Sequence, residues 1–101
     1  MRGVEVLPLH DAILGEININ WENRIVEIHL QAFVKQGSKA LPHLLKFEGV
    51  SNIEVPHNSP WGESFFVNDV SLVDDCCEVE MQSGDVVKIV AESFSFEPKT
   101  S

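Results

Sequence analysis

A chain of 101 residues with 44% apolar residues, six Phe and two Trp holds the material for one hydrophobic core and is too apolar to stay disordered. Sixteen Asp and Glu against seven Lys and Arg give a formal net charge of -9, which repels nucleic-acid phosphates and anionic membranes and favours a basic protein as partner. No apolar run approaches the ~20 residues of a membrane span and MRGVEVLPLHDAIL lacks the pattern of a signal peptide, so a cytoplasmic protein is expected.

In chain order, residues 1–6 are expected to be loosely held, as are 97–101 at the other end. His10 and Asp11 then lead into ILGEININW, residues 13–21, where Ile13, Ile17, Ile19 and Trp21 alternate with Glu16, Asn18 and Asn20. That period of two predicts a half-buried strand. RIVEIHLQAFV, residues 24–34, alternates likewise, with Val26, Ile28, Leu30, Ala32 and Val34 inward. Glu22 and Asn23 lie between the two runs, and Asn tolerates the positive φ of a tight turn. An antiparallel hairpin that keeps Ile against Ile pairs Ile19 with Val26, Ile17 with Ile28, Gly15 with Leu30 and Ile13 with Ala32. On the outer face it sets Glu16 opposite His29. A slip of one residue would oppose Ile and Glu at each step, so the apolar face fixes the register.

KQGSKALP, residues 35–42, reads as the longest flexible loop. If the chain holds a helix, it starts near Ser38 and runs toward Leu45, cut short by Pro42. HLLKFEGV (43–50), SNIEV (51–55) and SFFVNDVSLV (64–73) are weaker strand candidates, and PHNSPWG (56–62), with two prolines and a glycine, is a corner between them. Asp74 and Asp75 predict a turn. CCEVEMQ (76–82) and DVVKIVA (85–91) form a second hairpin around Ser83 and Gly84. Two registers keep its acids off its apolar residues: Val79 on Ile89 with Glu80 on Lys88, or Val79 on Val87 with Glu78 on Lys88. Either implies a three-residue loop with Gly84 at positive φ. A last short strand runs through Phe94 and Phe96.

Short strands with turn signals about every ten residues predict a single all-β domain, an antiparallel β-sandwich or small open barrel of about six to eight strands. An α+β arrangement is the alternative.

Chemistry-bearing residues are few. His10 beside Asp11 has the composition of half a general base or metal site, and reads structurally as a strand entrance with Asp11 accepting backbone N–H groups. The outward pair of Glu16 and His29 suits a pH-sensitive contact or a plain surface pair. In VDDCCEVE the two thiols are adjacent, so they face opposite sides of a strand and make no disulfide framework. No C-x-x-C or H-x-x-H spacing accompanies them, and no metal or other cofactor is expected. There is no G-x-S-x-G and no glycine-rich phosphate loop, so nothing calls for catalysis. In the corner, His57, Asn58, Trp61 and Ser64 combine an aromatic face with hydrogen-bonding groups, which suits an apolar or sugar ring. The structural alternative is that Trp61 caps the end of the core.

Taken together, LPLHDAIL, INWEN, LKFEGV, VPHNSPWGES and VEMQSGDVVKI resemble a family of small uncharacterised bacterial proteins. Those carry Leu-x-x-His-Asp or Leu-His-Asp, Trp-Glu and Pro-Trp-Gly-x-Ser elements and a Met-x-Ser-Gly-Asp turn, over roughly residues 7–92. The resemblance implies no established activity. In size and charge alone the chain is also similar to immunity proteins of toxin systems. The expected function is a non-enzymatic protein-binding module facing a basic partner. The alternative is a small-ligand or carbohydrate binder built on residues 56–64, and self-association through a sheet edge is a third expectation.

Overall fold

The computed structural model describes residues 10–32 and 40–98. These form eight strands and, among the described residues, no helix: β1 (Ile13–Asn20), β2 (Ile25–Ala32), β3 (Leu41–Glu48), β4 (Asn52–Glu54), β5 (Val67–Val73), β6 (Cys76–Met81), β7 (Val86–Val90) and β8 (Ser93–Pro98). They make two four-stranded antiparallel sheets, ordered β1-β2-β3-β8 and β4-β7-β6-β5. The all-β expectation is met and the α+β alternative is not. Residues 41–45, the C-terminal part of the possible helix, are strand β3 instead, because Leu45 and Phe47 are wholly buried at period two. Pro42 is tolerated at the start of that strand. Phe33, Val34 and most of the expected loop at 35–42 lie outside the described residues, as do 1–6 and 99–101. Glu97 and Pro98 are not loose, however: they sit opposite Leu44 and His43 in the sheet.

The first hairpin keeps the expected register over its outer half, with Ile19 opposite Val26, Ile17 opposite Ile28 and Glu16 opposite His29. Beyond Glu16 a bulge at Gly15 slips the strand by one residue, so Leu14 faces Leu30 and Ile13 faces Gln31 rather than Ala32. The slip exchanges the faces of β1. Ala12 and Leu14 therefore join the core, where the sequence pattern placed Ile13. The turn also differs: Arg24, not Asn23, takes the positive φ, at 56°, while Asn20 Oδ1 accepts the Asn23 N–H at 3.1 Å.

The second hairpin takes the register with Val79 opposite Val87 and Glu78 opposite Lys88. Its loop is the expected three residues. Met81 N–H donates to Asp85 O (2.8 Å), Gly84 N–H donates to Met81 O (3.0 Å), and Gly84 has φ 94°. The Asp74-Asp75 turn is also present, with Asp74 at φ 56° and Val73 opposite Cys76.

The choice between sandwich and barrel resolves into a structure between the two. The chain bends from β3 into β4 and from β7 into β8, so one antiparallel ribbon crosses from sheet to sheet. At the crossing, Glu92 N–H donates to both Glu48 O (3.1 Å) and Gly49 O (3.3 Å), leaving one extra residue on the β3–β4 side. Gly49, at φ 67°, has no room for a Cβ because Glu92 packs against it. At the far side the sheets are stitched together. Asp11 N–H donates to Val67 O, Val67 N–H to Ala12 O and Leu14 N–H to Phe65 O, each at 2.8 Å. The inner faces meet in a core of Val26, Ile28, Leu30, Leu45, Phe47, Val67, Val79, Val87 and Ile89.

Candidate functional site

The β6–β7 turn, residues 82–85, is where the scattered candidate residues come together: Gln82 holds the segments at Asp11 and Phe66, while Ser83, Gly84 and Asp85 hold residues 58–61. Gln82 Nε2 donates to Asp11 Oδ1 (2.7 Å) and its N–H to Phe66 O (2.9 Å). Ser83 O accepts the Trp61 N–H at 2.9 Å. Gly84 carries Pro60 and Trp61 directly: a Cβ there would come within 2.7 Å of the indole Cδ2 and 2.8 Å of the proline ring. Asp85, itself buried, accepts the N–H groups of Asn58 (Oδ1, 2.8 Å) and Ser59 (Oδ2, 2.9 Å) and the Ser83 hydroxyl (2.8 Å).

Asp85 thus clamps the 56–62 corner. The Asn58 N–H above all, with the Ser59 N–H, the Ser83 hydroxyl and nearby His57 adding to it, holds its carboxyl below the usual 3.8, against the opposing effect of burial. The corner closes on itself through Ser59, at φ 49°, whose O accepts the Gly62 N–H at 3.0 Å, with Gly62 at φ 109°.

On this frame the side chains face outward. Trp61 is 72% exposed, so it does not cap the core: one part of its ring rests on Gly84 and the rest meets solvent. His57 and Asn58 are exposed beside it in the chain. Phe65 and Phe66, later in the same connection, are also exposed, by 59% and 36%, and stack on each other with centroids 5.0 Å apart. The sequence pattern places both in the strand candidate 64–73, whereas the strand begins at Val67. The Ser64 side chain turns to its own backbone instead: its Oγ accepts the Phe66 N–H at 3.2 Å.

His10 and Asp11 border the same turn. His10 Nδ1 donates to Asn68 O (2.6 Å) and its Nε2 lies 3.6 Å from Asp11 Oδ2, both side chains exposed. Asp11, at φ 66°, accepts from the Gln82 amide rather than from backbone N–H groups. Glu16 and His29 form the expected cross-strand pair, but they belong to a different place, a shallow 280 Å³ cavity with Gly15, Asn18 and Pro42. Cys77 is buried and its thiol pushed up to about 12, chiefly by that burial, so it is inert as a nucleophile or ligand at neutral pH. Among the described residues no three His, Cys, Asp or Glu side chains are disposed around a common metal position.

The missed anchors, Ser83 and Asp85, did leave a trace. They continue the inward set of Val79, Met81, Val87 and Ile89, and a buried Asp in an apolar row needs partners to satisfy it.

Fold and site together define an all-β domain, two sheets joined along bent and stitched strands, that displays an aromatic corner on a hairpin turn. No protein-family profile matches the chain, and no curated protein matches it in sequence. The crystal structure of an uncharacterized protein from Neisseria gonorrhoeae is similar, with a TM-score of 0.59 and 17% identity over 89% of this chain and 93% of that one. At that identity the likeness concerns the fold alone. No helix among the described residues is long and apolar enough to cross a membrane.

Proposed function

We propose that this chain is a small bacterial protein-binding module of the cytoplasm, without catalytic activity of its own, that engages its partner through the 56–66 corner. The observation that carries the reading is the exposure of Trp61 on a backbone already fixed by Asp85 and Gly84. Large exposed aromatics are the commonest energetic anchors of interfaces, and a preformed loop loses little further entropy on binding. The charge of -9 supports a basic protein as the partner, in the manner of immunity proteins, and would hasten their encounter.

The test is capture on the immobilised protein from a lysate of the producing bacterium, with Trp61→Ala in parallel at low and high salt. A basic protein retained by the wild type, lost from Trp61→Ala and weakened by salt is the expected result. Equal retention by the variant removes the corner, and retention indifferent to salt removes the electrostatic component. The second reading, a carbohydrate or small-ligand site on Trp61, His57 and Asn58, draws on an exposed indole and two exposed hydrogen-bonding residues in the same corner. It fails if Trp61→Phe keeps every thermal shift that a ligand library gives the wild type.

A further inference from the structure

The bend that carries β3 into β4 also opens the molecule. β2 and β3 are paired from Ala32–Leu41 to Ile25–Glu48, and one further bond, Val50 N–H to Arg24 O at 3.0 Å, ties the strands beyond them. Past that bond β4 turns away to pair with β7, and it is the outer strand of its sheet. The resulting cleft, about 350 Å³, is lined by the tip of the first hairpin on one side and by residues 50–53 on the other. That volume lies within the range of small-molecule sites, which favour the mouths of β-barrels.

Its lining is apolar at the base and polar at the rim. Val26 is buried, and Val50 and Ile53 pack against the core; Ile19 and Trp21 are 48% and 85% exposed. Asn20, Ser51 and Asn52 supply neutral hydrogen-bonding groups. Arg24 is the single charged residue among those lining the cleft, and no Asp or Glu is among them, in a chain with sixteen acids. Among the described residues no carboxylate lies within ion-pair distance of Arg24. An Arg and a Trp lining one cleft over an apolar base match a ligand with an apolar body and one anionic oxygen group, since Arg binds carboxylates in a forked geometry. Arg24 also sits at φ 56°, a conformation unfavourable for its side-chain type and held by the bonds of the turn.

We infer that the cleft between the first hairpin tip and β4 is a binding site for a small amphiphilic carboxylate, with Arg24 taking the carboxylate and Trp21, Ile19, Val26 and Ile53 the apolar body. It shares no residue with the 56–66 corner and does not depend on that reading.

The experiment uses octanoate, octanol and octylammonium as probes on a Trp61→Phe background, where Trp21 is the sole indole. Octanoate is expected to change Trp21 emission saturably and to bind at least about tenfold more tightly than the other two, the order of effect of one charge-assisted hydrogen-bonded contact. Arg24→Lys should keep part of that preference. Arg24→Asn, which tolerates the left-handed backbone, should abolish it. Amide shifts induced by octanoate in the wild-type protein should fall on residues 19–26 and 50–53, which tests the site even if an Arg24 variant folds poorly. Equal affinity for the three probes, unchanged affinity in Arg24→Asn, no saturable binding, or shifts centred elsewhere would each overturn the assignment.

Discussion

The two hairpins begin from the same sequence logic and end in opposite circumstances. β1–β2 and β6–β7 both alternate apolar and polar residues around a short turn that needs one positive φ. In the first, the turn is largely exposed, Trp21 by 85%, and Arg24 takes the strained position. In the second, the turn is overlaid by the 56–62 corner and its positive φ falls on Gly84, where even a Cβ would strike Trp61. A similar local device, a short hairpin turn with one positive φ, is thus a free tip in one place and a foundation in the other. What separates them is a long-range partner: residues 57–61 are supplied to one turn, while the other receives only the Val50 bond.

Substitutions at the two tips should expose that difference. The largest effect is expected at Gly84→Val, where a β-branched side chain meets both an unfavourable backbone and the ring above it. The loss should be about 2 kcal/mol, or roughly 10 °C in Tm, and thermal unfolding that matches the wild type would contradict the overlaid turn.

Next comes Asp85→Asn, which keeps the shape but removes the charge and one of the two acceptor oxygens. Because the folded carboxyl titrates below its usual 3.8, its contribution is complete above that pH and is lost as pH falls through the lower folded value. The Tm gap between wild type and Asp85→Asn is therefore expected to be constant near neutrality and to shrink below pH 3.8. A gap that widens in acid would mean that the carboxylate does not hold the corner. Amide hydrogen exchange at Asn58 and Ser59 should accelerate in the same variant.

Trp61→Ala removes a mostly exposed ring and should cost under about 1 kcal/mol while abolishing partner capture. Trp21→Ala, at the free tip, should change stability by less than about 0.5 kcal/mol. If Trp21→Ala proves the more destabilising of the two, the contrast between foundation and free tip is wrong.

Much of this architecture is legible locally. Alternation in 16–20 and 25–30 sets the register of the first hairpin, and Ser83-Gly84 with the Val79 and Val87 rows confines the second to two registers. The Asp74-Asp75 turn is legible for the same reason. What local pattern left wrong or open shares a cause. The bulge at Gly15, the register actually taken by β6 and β7, and the switch of β3 into β4 depend on how strands of one sheet meet the other, which no window of neighbouring residues contains.

Local pattern is enough to set the strand content, the two hairpins, the acidic charge and the nature of 56–62 as a corner, because periodicity, charge and backbone preference are properties of adjacent residues. That Trp61 faces outward, that His10, Asp11 and Trp61 gather on one turn, and that Arg24 lines a cleft emerge only once the sheets have closed. Those facts rest on Asp85 meeting Asn58 and Ser59, Gln82 meeting Asp11, and Val50 meeting Arg24. Each is a hydrogen bond between segments more than twenty residues apart, fixed when the two sheets close over their shared core.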